Sequence, residues 1–270
     1  MRNARRATSF HHAWHVMLAA VALAALLCPA HAAAGPPYQT DDPEPVAHRR
    51  FEVNISSQYA NTFGAISGNA PALGVNYGLM PNVQLSLTLQ LNENSGSRSA
   101  PWKVGFGDTT VGLKMRFVQE TARGPQIAFD PAIVIPTGDA KNGLGGGLPK
   151  LILPLWLQKD VGAWTLFGGG GITRNPGPGR RDYTFTGVAA QRQMGRNTSF
   201  GAEIFHATAD TIAGNGSTGF NIGSVRTLDA THSVMFSIGP SNSLSAYAGY
   251  KLQFGPRPKS STPAAAETGF

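Results

Sequence analysis

From Phe51 onward, apolar and polar residues alternate with a period of two along most of the chain. Val83-Gln84-Leu85-Ser86-Leu87-Thr88-Leu89-Gln90-Leu91 keeps the alternation without an error. A strand sends successive side chains to opposite faces, so one face here is all Val and Leu and the other all Gln, Ser and Thr. Phe51, Val53, Ile55 and Tyr59 interleave with Glu52, Asn54, Ser56 and Gln58. Thr109, Val111, Leu113, Met115 and Phe117 interleave with Asp108, Thr110, Gly112, Lys114 and Arg116. The pattern predicts twelve strands, near 50–60, 70–79, 83–92, 105–118, 125–136, 149–159, 164–173, 182–193, 197–207, 217–228, 232–239 and 244–254.

The connectors alternate in length. Those at 80–82, 160–163, 194–196 and 229–231 are short, and 119–124 is slightly longer. Those at 61–69, 93–104, 137–148, 174–181 and 208–216 are longer and rich in Gly, Asn and Ser, and only 240–243 breaks the rule. Tight turns on one side and longer loops on the other describe an outer-membrane barrel. Strands of about 9–11 residues cross a bilayer at a tilt. Backbone groups in hydrocarbon must be paired, which forces the sheet to close. The expected fold is all-β: one antiparallel up-and-down transmembrane β-barrel of about 12 strands over residues 50–255. A periplasmic N-terminal segment, 33–49, precedes it, and a flexible tail, 256–270, follows.

Composition sharpens this. Only 14% of residues are charged, against roughly 25% in soluble domains, and residues 53–92 carry no charge at all. A soluble sandwich or lipocalin-like barrel also alternates, but its outer face normally carries Lys and Glu. The one long apolar run lies at the start. Arg2, Arg5 and Arg6, the apolar stretch Val16 to Cys28 and the Ala30-His31-Ala32 site make residues 1–32 a cleaved secretory signal peptide. Cleavage removes Cys28, the only cysteine, so neither disulfides nor cysteine-bound metal hold the mature chain. It also removes three basic residues and no acids, which lowers the net charge from +7 to +4. The remaining basic residues are dispersed, which argues against nucleic-acid binding.

Two glycine clusters and the aromatic residues belong to the barrel. Gly168 to Gly171 is followed by Ile172-Thr173-Arg174-Asn175-Pro176, which lacks the Lys-Ser/Thr of a phosphate loop. It reads as a kink or a crowded wall. Gly143 to Gly147 reads as an external loop. Tyr77, Phe117, Trp156, Trp164, Tyr247, Tyr250 and Phe254 fall near strand ends, where interfacial girdles form.

With the apolar face toward lipid, the charged residues of the polar face line the lumen: Glu52, Asp108, Lys114, Arg116, Asp130, Lys150, Arg192, Glu203 and Lys251. Lys114, Arg116, Arg192 and Lys251 fall in the periplasmic half. They form either a basic ring that holds acidic groups, of a solute or of the N-terminal segment, or a set of mutual ion pairs that fill a narrow barrel. Asp41, Asp42 and Glu44 lie in an acidic stretch with Pro43 and Pro45. It is either a latch folded into the lumen against Lys114 and Arg116 or a solvated lead-in. An enzyme reading would need Ser199 with His206, which an odd spacing puts on opposite faces of one strand. No G-x-S-x-G elbow is present. No catalytic residue, cofactor or metal site is expected.

Several blocks resemble a known family: GPPYQTDDPEP (35–45), GVNYGLMPNVQLSL (74–87), GFGDTTVGLKMRFVQE (105–120) and IVIPTGDA (133–140). LPLWLQK (153–159), GGGGITRNPGPG (168–179), GAEIFH (201–206), TGFNIG (218–223) and KLQFGP (251–256) continue it in the same order. These resemble the outer-membrane β-barrel transporters of Gram-negative bacteria named for the MetA pathway of phenol degradation. The resemblance implies an outer-membrane barrel for passive uptake of small solutes, often aromatic or apolar, and supplies no catalytic residues. Its expected partners are outer-membrane lipid, a small-molecule solute and the outer-membrane assembly machinery. That machinery would read either Phe254, at the end of the last strand, or the terminal Phe270. A structural or surface-interaction barrel with an occluded lumen is the alternative, and an outer-membrane lipid hydrolase a more remote one.

Overall fold

A computed structural model of the chain describes residues 36–62, 65–95 and 100–256. The expected signal peptide, and all but the first residue of the expected tail, lie outside the described residues. Twelve strands form the wall. They are β1 Phe51–Thr62, β2 Ala65–Met80, β3 Val83–Ser95, β4 Lys103–Phe106 continued by Thr109–Val118, β5 Gln126–Phe129 continued by Ala132–Ile135, and β6 Lys150–Val161. There follow β7 Trp164–Arg174, β8 Tyr183–Met194, β9 Thr198–Ala207, β10 Ser217–Thr227, β11 His232–Pro240 and β12 Leu244–Phe254. Each strand pairs antiparallel with its sequence neighbours, and β12 pairs with β1 from Phe51↔Phe254 to Asn61↔Leu244. The sheet therefore closes on itself, as an apolar solvent requires.

The alternation sorts the two faces. On β3 the side chains of Leu85, Leu87 and Leu89 are exposed while Gln84 is buried. Outward residues on other strands are equally apolar, among them Val188, Phe200, Ile204, Phe220 and Ile222. Gln126, Gln158, Gln191 and Asn221 are buried inside. This inversion of a soluble protein is what lipid outside and a polar interior demand.

Three local departures from the expected pattern have physical causes. Residues 61–62 and 65–69 are strand rather than loop, with Thr62 pairing Ala65 and Ile66 pairing Ser95. Their Gly, Ser and Asn have poor strand propensity, and pairing on both sides overrides it. Pro71 is accommodated where the β2–β3 register shifts between Asn69 and Ala72, a bulge that asks for no donor. The fifth strand breaks at Asp130-Pro131 because Pro131 has no N–H. Asp130 N–H donates to the Pro154 carbonyl (3.2 Å) and Leu113 N–H to the Pro131 carbonyl (2.9 Å), which carries the wall past the break. The fourth strand breaks at Gly107-Asp108, where the Asp108 carboxylate turns to the loop between β5 and β6. It accepts the N–H groups of Gly138 (3.0 Å) and Gly146 (2.6 Å), and the loop tucks in with Leu144 buried.

The girdle is present at the turn end of the barrel. Phe51 stacks on Phe254 (5.3 Å between ring centroids) and packs on Tyr77 (4.6 Å), while Phe117 and Trp164 are exposed. Trp156 and Tyr247 do not belong to it. Trp156 shares its face with buried Gln158, and Tyr247 stands opposite buried Ser237 and on the same face as buried Lys251. Both rings point into the lumen. The Gly168–Gly171 run is crowded wall: a Cβ on Gly168 would come within 2.7 Å of the Gly187 carbonyl oxygen on the neighbouring strand.

Candidate functional site

The chain enters β1 through a reversal at 47–50. Arg50 N–H donates to the Ala47 carbonyl (2.9 Å), Arg49 takes a left-handed conformation (φ 64°), and Arg49 N–H donates to the Gly78 carbonyl (2.7 Å). The reversal turns residues 36–46 back inside the barrel, where Pro37, Tyr38, Thr40, Asp42, Pro43 and Pro45 are buried. Four prolines suit this segment to a confined site, because each fixes φ and brings no N–H that needs a partner.

Five of the seven remaining backbone donors find side-chain partners. The Glu203 carboxylate on β9 accepts Gln39 N–H and Thr40 N–H (2.8 Å each), and also takes Asn221 Nδ2 (2.6 Å). Asp42 N–H goes to the Asp41 side chain (2.8 Å), Glu44 N–H to the Asp42 side chain (2.6 Å) and Val46 N–H to Gln84 Oε1 on β3 (2.8 Å). Ser237 Oγ on β11 donates to the Pro37 carbonyl (2.6 Å). From the opposite wall, buried Lys114 on β4 donates to Asp41 Oδ2 (3.0 Å) and to the Asp42 carbonyl (2.7 Å). Its Nζ also lies 3.8 Å from Asp42 and 3.8 Å from Asp130.

The segment packs against one side of the wall. Tyr38 lies on Phe167 of β7 (5.9 Å between centroids), and Ala189 completes that small apolar contact. The wall it meets is bare of side chains at two places: a Cβ on Gly187 would overlap the Thr40 hydroxyl, and one on Gly201 would come within 2.6 Å of the Tyr38 hydroxyl. Glycine there permits the close approach. Between the segment and the other side of the wall, β12 and β1 to β6, a cavity of about 720 Å³ remains. Its lining includes the amides and hydroxyls Asn54, Asn76, Gln84, Ser86, Thr88 and Thr110. Five acids, Asp41, Asp42, Glu44, Glu52 and Asp130, and three bases, Arg50, Lys114 and Lys251, also face it. A second cavity of about 450 Å³ opens at the turn end of the barrel beside Glu44, Arg116, Glu120, Lys159 and Asp160.

Of the lumenal residues expected from sequence, Lys114, Asp130 and Glu203 meet around the N-terminal segment. Glu52 and Lys251 pair with each other (3.2 Å), and Glu52 also holds Asn54, Asn76 and Gln253. Arg116 does not reach the acidic stretch; it donates to Asn82 Oδ1 (3.2 and 2.9 Å) and Gln126 Oε1 (2.8 Å). Asp108 and Lys150 lie toward the loop end, Asp108 in the loop contact described above and Lys150 close to Gly146. Arg192 is a correction. It stands on the outer face, exposed, with its guanidinium over the Trp164 ring (5.5 Å to the centroid), while its neighbour Gln191 is fully buried inside. The four bases expected in the periplasmic half thus divide: Lys114 holds acids of the N-terminal segment, Lys251 pairs with Glu52, Arg116 meets amides and Arg192 is outside, so they do not make one ring.

Sequence reasoning missed Gln84, Ser237, Gly187 and Gly201, which seat the segment, and an inward aromatic row. Trp156 meets Phe185 at 6.2 Å and Phe185 meets Phe205 at 6.1 Å between centroids. Ser199 and His206 project to opposite faces, Ser199 held inside by Gln191 and His206 exposed with Nδ1 2.8 Å from the Thr218 hydroxyl.

The buried acids give the docked segment a pH dependence. Burial pushes the Asp42 carboxyl up to about 7; Lys114 opposes this, and Asp41 and Glu44 add to it. Asp130 and Lys114 are the wall groups that face it. The docked form thus binds a proton more tightly than the released form. Seating is strongest below about pH 4, weakens as pH rises and levels off above about pH 7. Closed dwell times in a planar bilayer are expected to be longer at about pH 5 than at about pH 8. The opposite order would mean that the Lys114 pairing outweighs burial.

These features define a transmembrane β-barrel that carries a segment of its own chain in its lumen. The sequence matches the family described as "Putative MetA-pathway of phenol degradation" over residues 37–261, and the chain belongs to that family. No curated protein matches it in sequence. Among solved structures it is similar to an outer membrane channel from Pseudomonas putida F1, with a TM-score of 0.65 at 16% identity, covering 79% of this chain and 98% of that one. It is also similar to the KdgM porin solved with an oligogalacturonate, with a TM-score of 0.51 at 9% identity, covering 75% of this chain and 99% of that one. At these identities the likeness is one of fold.

Proposed function

We propose that the protein is a channel in the outer membrane of a Gram-negative bacterium, exported by a cleaved signal peptide, and that residues 36–46 keep it closed or narrow. The observation that carries this reading is the two-sided seating of the segment, by Glu203 from one wall and Lys114 from the other. A segment held by side-chain contacts, with no disulfide or ladder, is suited to leave. Two of its hydroxyls, Tyr38 OH and Thr40 Oγ1, are buried with no protein partner, which lowers the cost of undocking.

The proposed solutes are small and apolar or aromatic. The row Trp156, Phe185 and Phe205 offers ring faces and edges inside the lumen, and Trp156 also lines the larger cavity. Aromatic pairs of this geometry contribute about 0.5–1.5 kcal/mol beyond area burial. The family's description points to the same compounds. The occluded lumen also favours the alternative of a structural barrel without transport.

Planar-bilayer recording of the refolded barrel separates the two, with phenol or a sugar of similar size added as blocker. Discrete steps that phenol shortens, and that it shortens less in Trp156→Ala, support the aromatic channel. Steps affected equally by both blockers would overturn the solute class. Silence of both the whole barrel and a form lacking residues 36–46 would overturn the channel.

A further inference from the structure

The outer wall carries an unexplained charge cluster at its turn end. The registers lay out its rows. Trp164, Arg192, Phe200 and Ser224 form one row across β7 to β10, and Met194, Thr198 and Arg226 form the next row toward the periplasm. Arg196 lies in the turn between Met194 and Thr198. All three arginines are exposed, and among the described residues none of them meets a carboxylate. Asp229, in the next turn, has its carboxylate occupied by Thr231 and His232.

An arginine that faces lipid is tolerated only near an interface, where its head finds water or phosphate. Arg192 and Arg226 lie two strands apart, roughly 10 Å of lateral spacing, and close onto one group between them once the Arg192 guanidinium swings off the Trp164 ring on its far side. Arg226 already leans that way, with Nη1 donating to the Thr198 hydroxyl on the intervening strand (3.2 Å). Guanidinium groups bind phosphate through paired N–H donors, and three uncompensated positive charges favour a headgroup with net negative charge. Directly above, toward the bilayer centre, the outward positions are Leu166, Ala190, Ala202 and Ile222. The two alanines stand between larger outward residues, Val188 and Ile204 in the next row up and Phe200 below.

We propose that this rim is a binding site for an anionic phospholipid of the periplasmic leaflet. Arg192 and Arg226 hold its phosphate, and Trp164 flanks the headgroup. The site is on the outside of the wall and is independent of what passes through the lumen.

The test uses the folded barrel extracted in mild detergent, incubated with phosphatidylglycerol or phosphatidylethanolamine and examined by native mass spectrometry. The wild type is expected to retain phosphatidylglycerol at least about fivefold better than phosphatidylethanolamine. Arg192→Gln and Arg226→Gln should each lower that retention by roughly fivefold, with the double variant near the background. Arg123→Gln, on another turn at the same end, should leave it unchanged. The single variants keep the test decisive if the double variant folds poorly. Equal retention of the two lipids by the wild type, or undiminished phosphatidylglycerol retention in the arginine variants, would overturn the proposal.

Discussion

Deleting residues 36–46 is expected to raise single-channel conductance by on the order of fivefold and to abolish cation preference. The lumen of a barrel this size lies between filled eight-stranded and open sixteen-stranded cases, so a segment lying along it takes up much of the free cross-section. The charge argument is more specific. With the segment docked, the larger cavity faces five acids and three bases, which makes the intact barrel weakly cation-preferring. Deletion removes Asp41, Asp42 and Glu44, frees Lys114 and uncovers Glu203, so Arg50, Lys114 and Lys251 then balance Glu52, Asp130 and Glu203. Reversal potentials in a salt gradient should move from the cation side toward zero. Unchanged conductance and unchanged preference would show that the segment does not restrict flow.

Lys114→Met is expected to release the segment without shortening it. Lys114 neutralises a buried group of three carboxylates, Asp41, Asp42 and Asp130, and its side chain is only 5% exposed. Removing one partner from a buried charge group costs about 3–5 kcal/mol, because the others stay buried and unpaired. Here the chain can escape that cost by undocking, so the docked population should fall by roughly a hundredfold or more while the wall stays closed. Because residues 33–270 contain no cysteine, Thr40→Cys reports the change directly. The introduced thiol, at a position fully buried when docked, should react slowly with a maleimide in the otherwise wild-type background and fast beside Lys114→Met. Lys251→Met breaks the separate pair with Glu52 and should leave the thiol protected. Equal labelling in all three backgrounds would show that Lys114 does not hold the segment.

Recognition of the wall from sequence rests on a local rule. Each strand residue must face either lipid or lumen, and the two solvents select opposite side chains, so the alternation of β3 or of Thr109–Val118 is written residue by residue. The same parity correctly turns Lys114, Glu203 and Lys251 inward. It fails on β8. There the inward residues are Tyr183, Phe185, Gly187, Ala189 and Gln191, aromatic or small because they face the docked segment and the aromatic row. The polar contrast between faces disappears, and Arg192 reads as lumenal when it faces out. Trp156 reads as a girdle residue for the same reason.

Strand number, antiparallel closure and the acidity of the N-terminal stretch all follow from the order of residues alone, because period, turn chemistry and composition act on neighbours along the chain. Where that stretch goes is settled at long range. Glu203 receives the N–H groups of residues more than 160 positions away, and Lys114 reaches Asp41 across 73. Such contacts depend on closure bringing β4 and β9 to opposite sides of one narrow space. No local pattern encodes that distance; it is set by the circumference of the barrel.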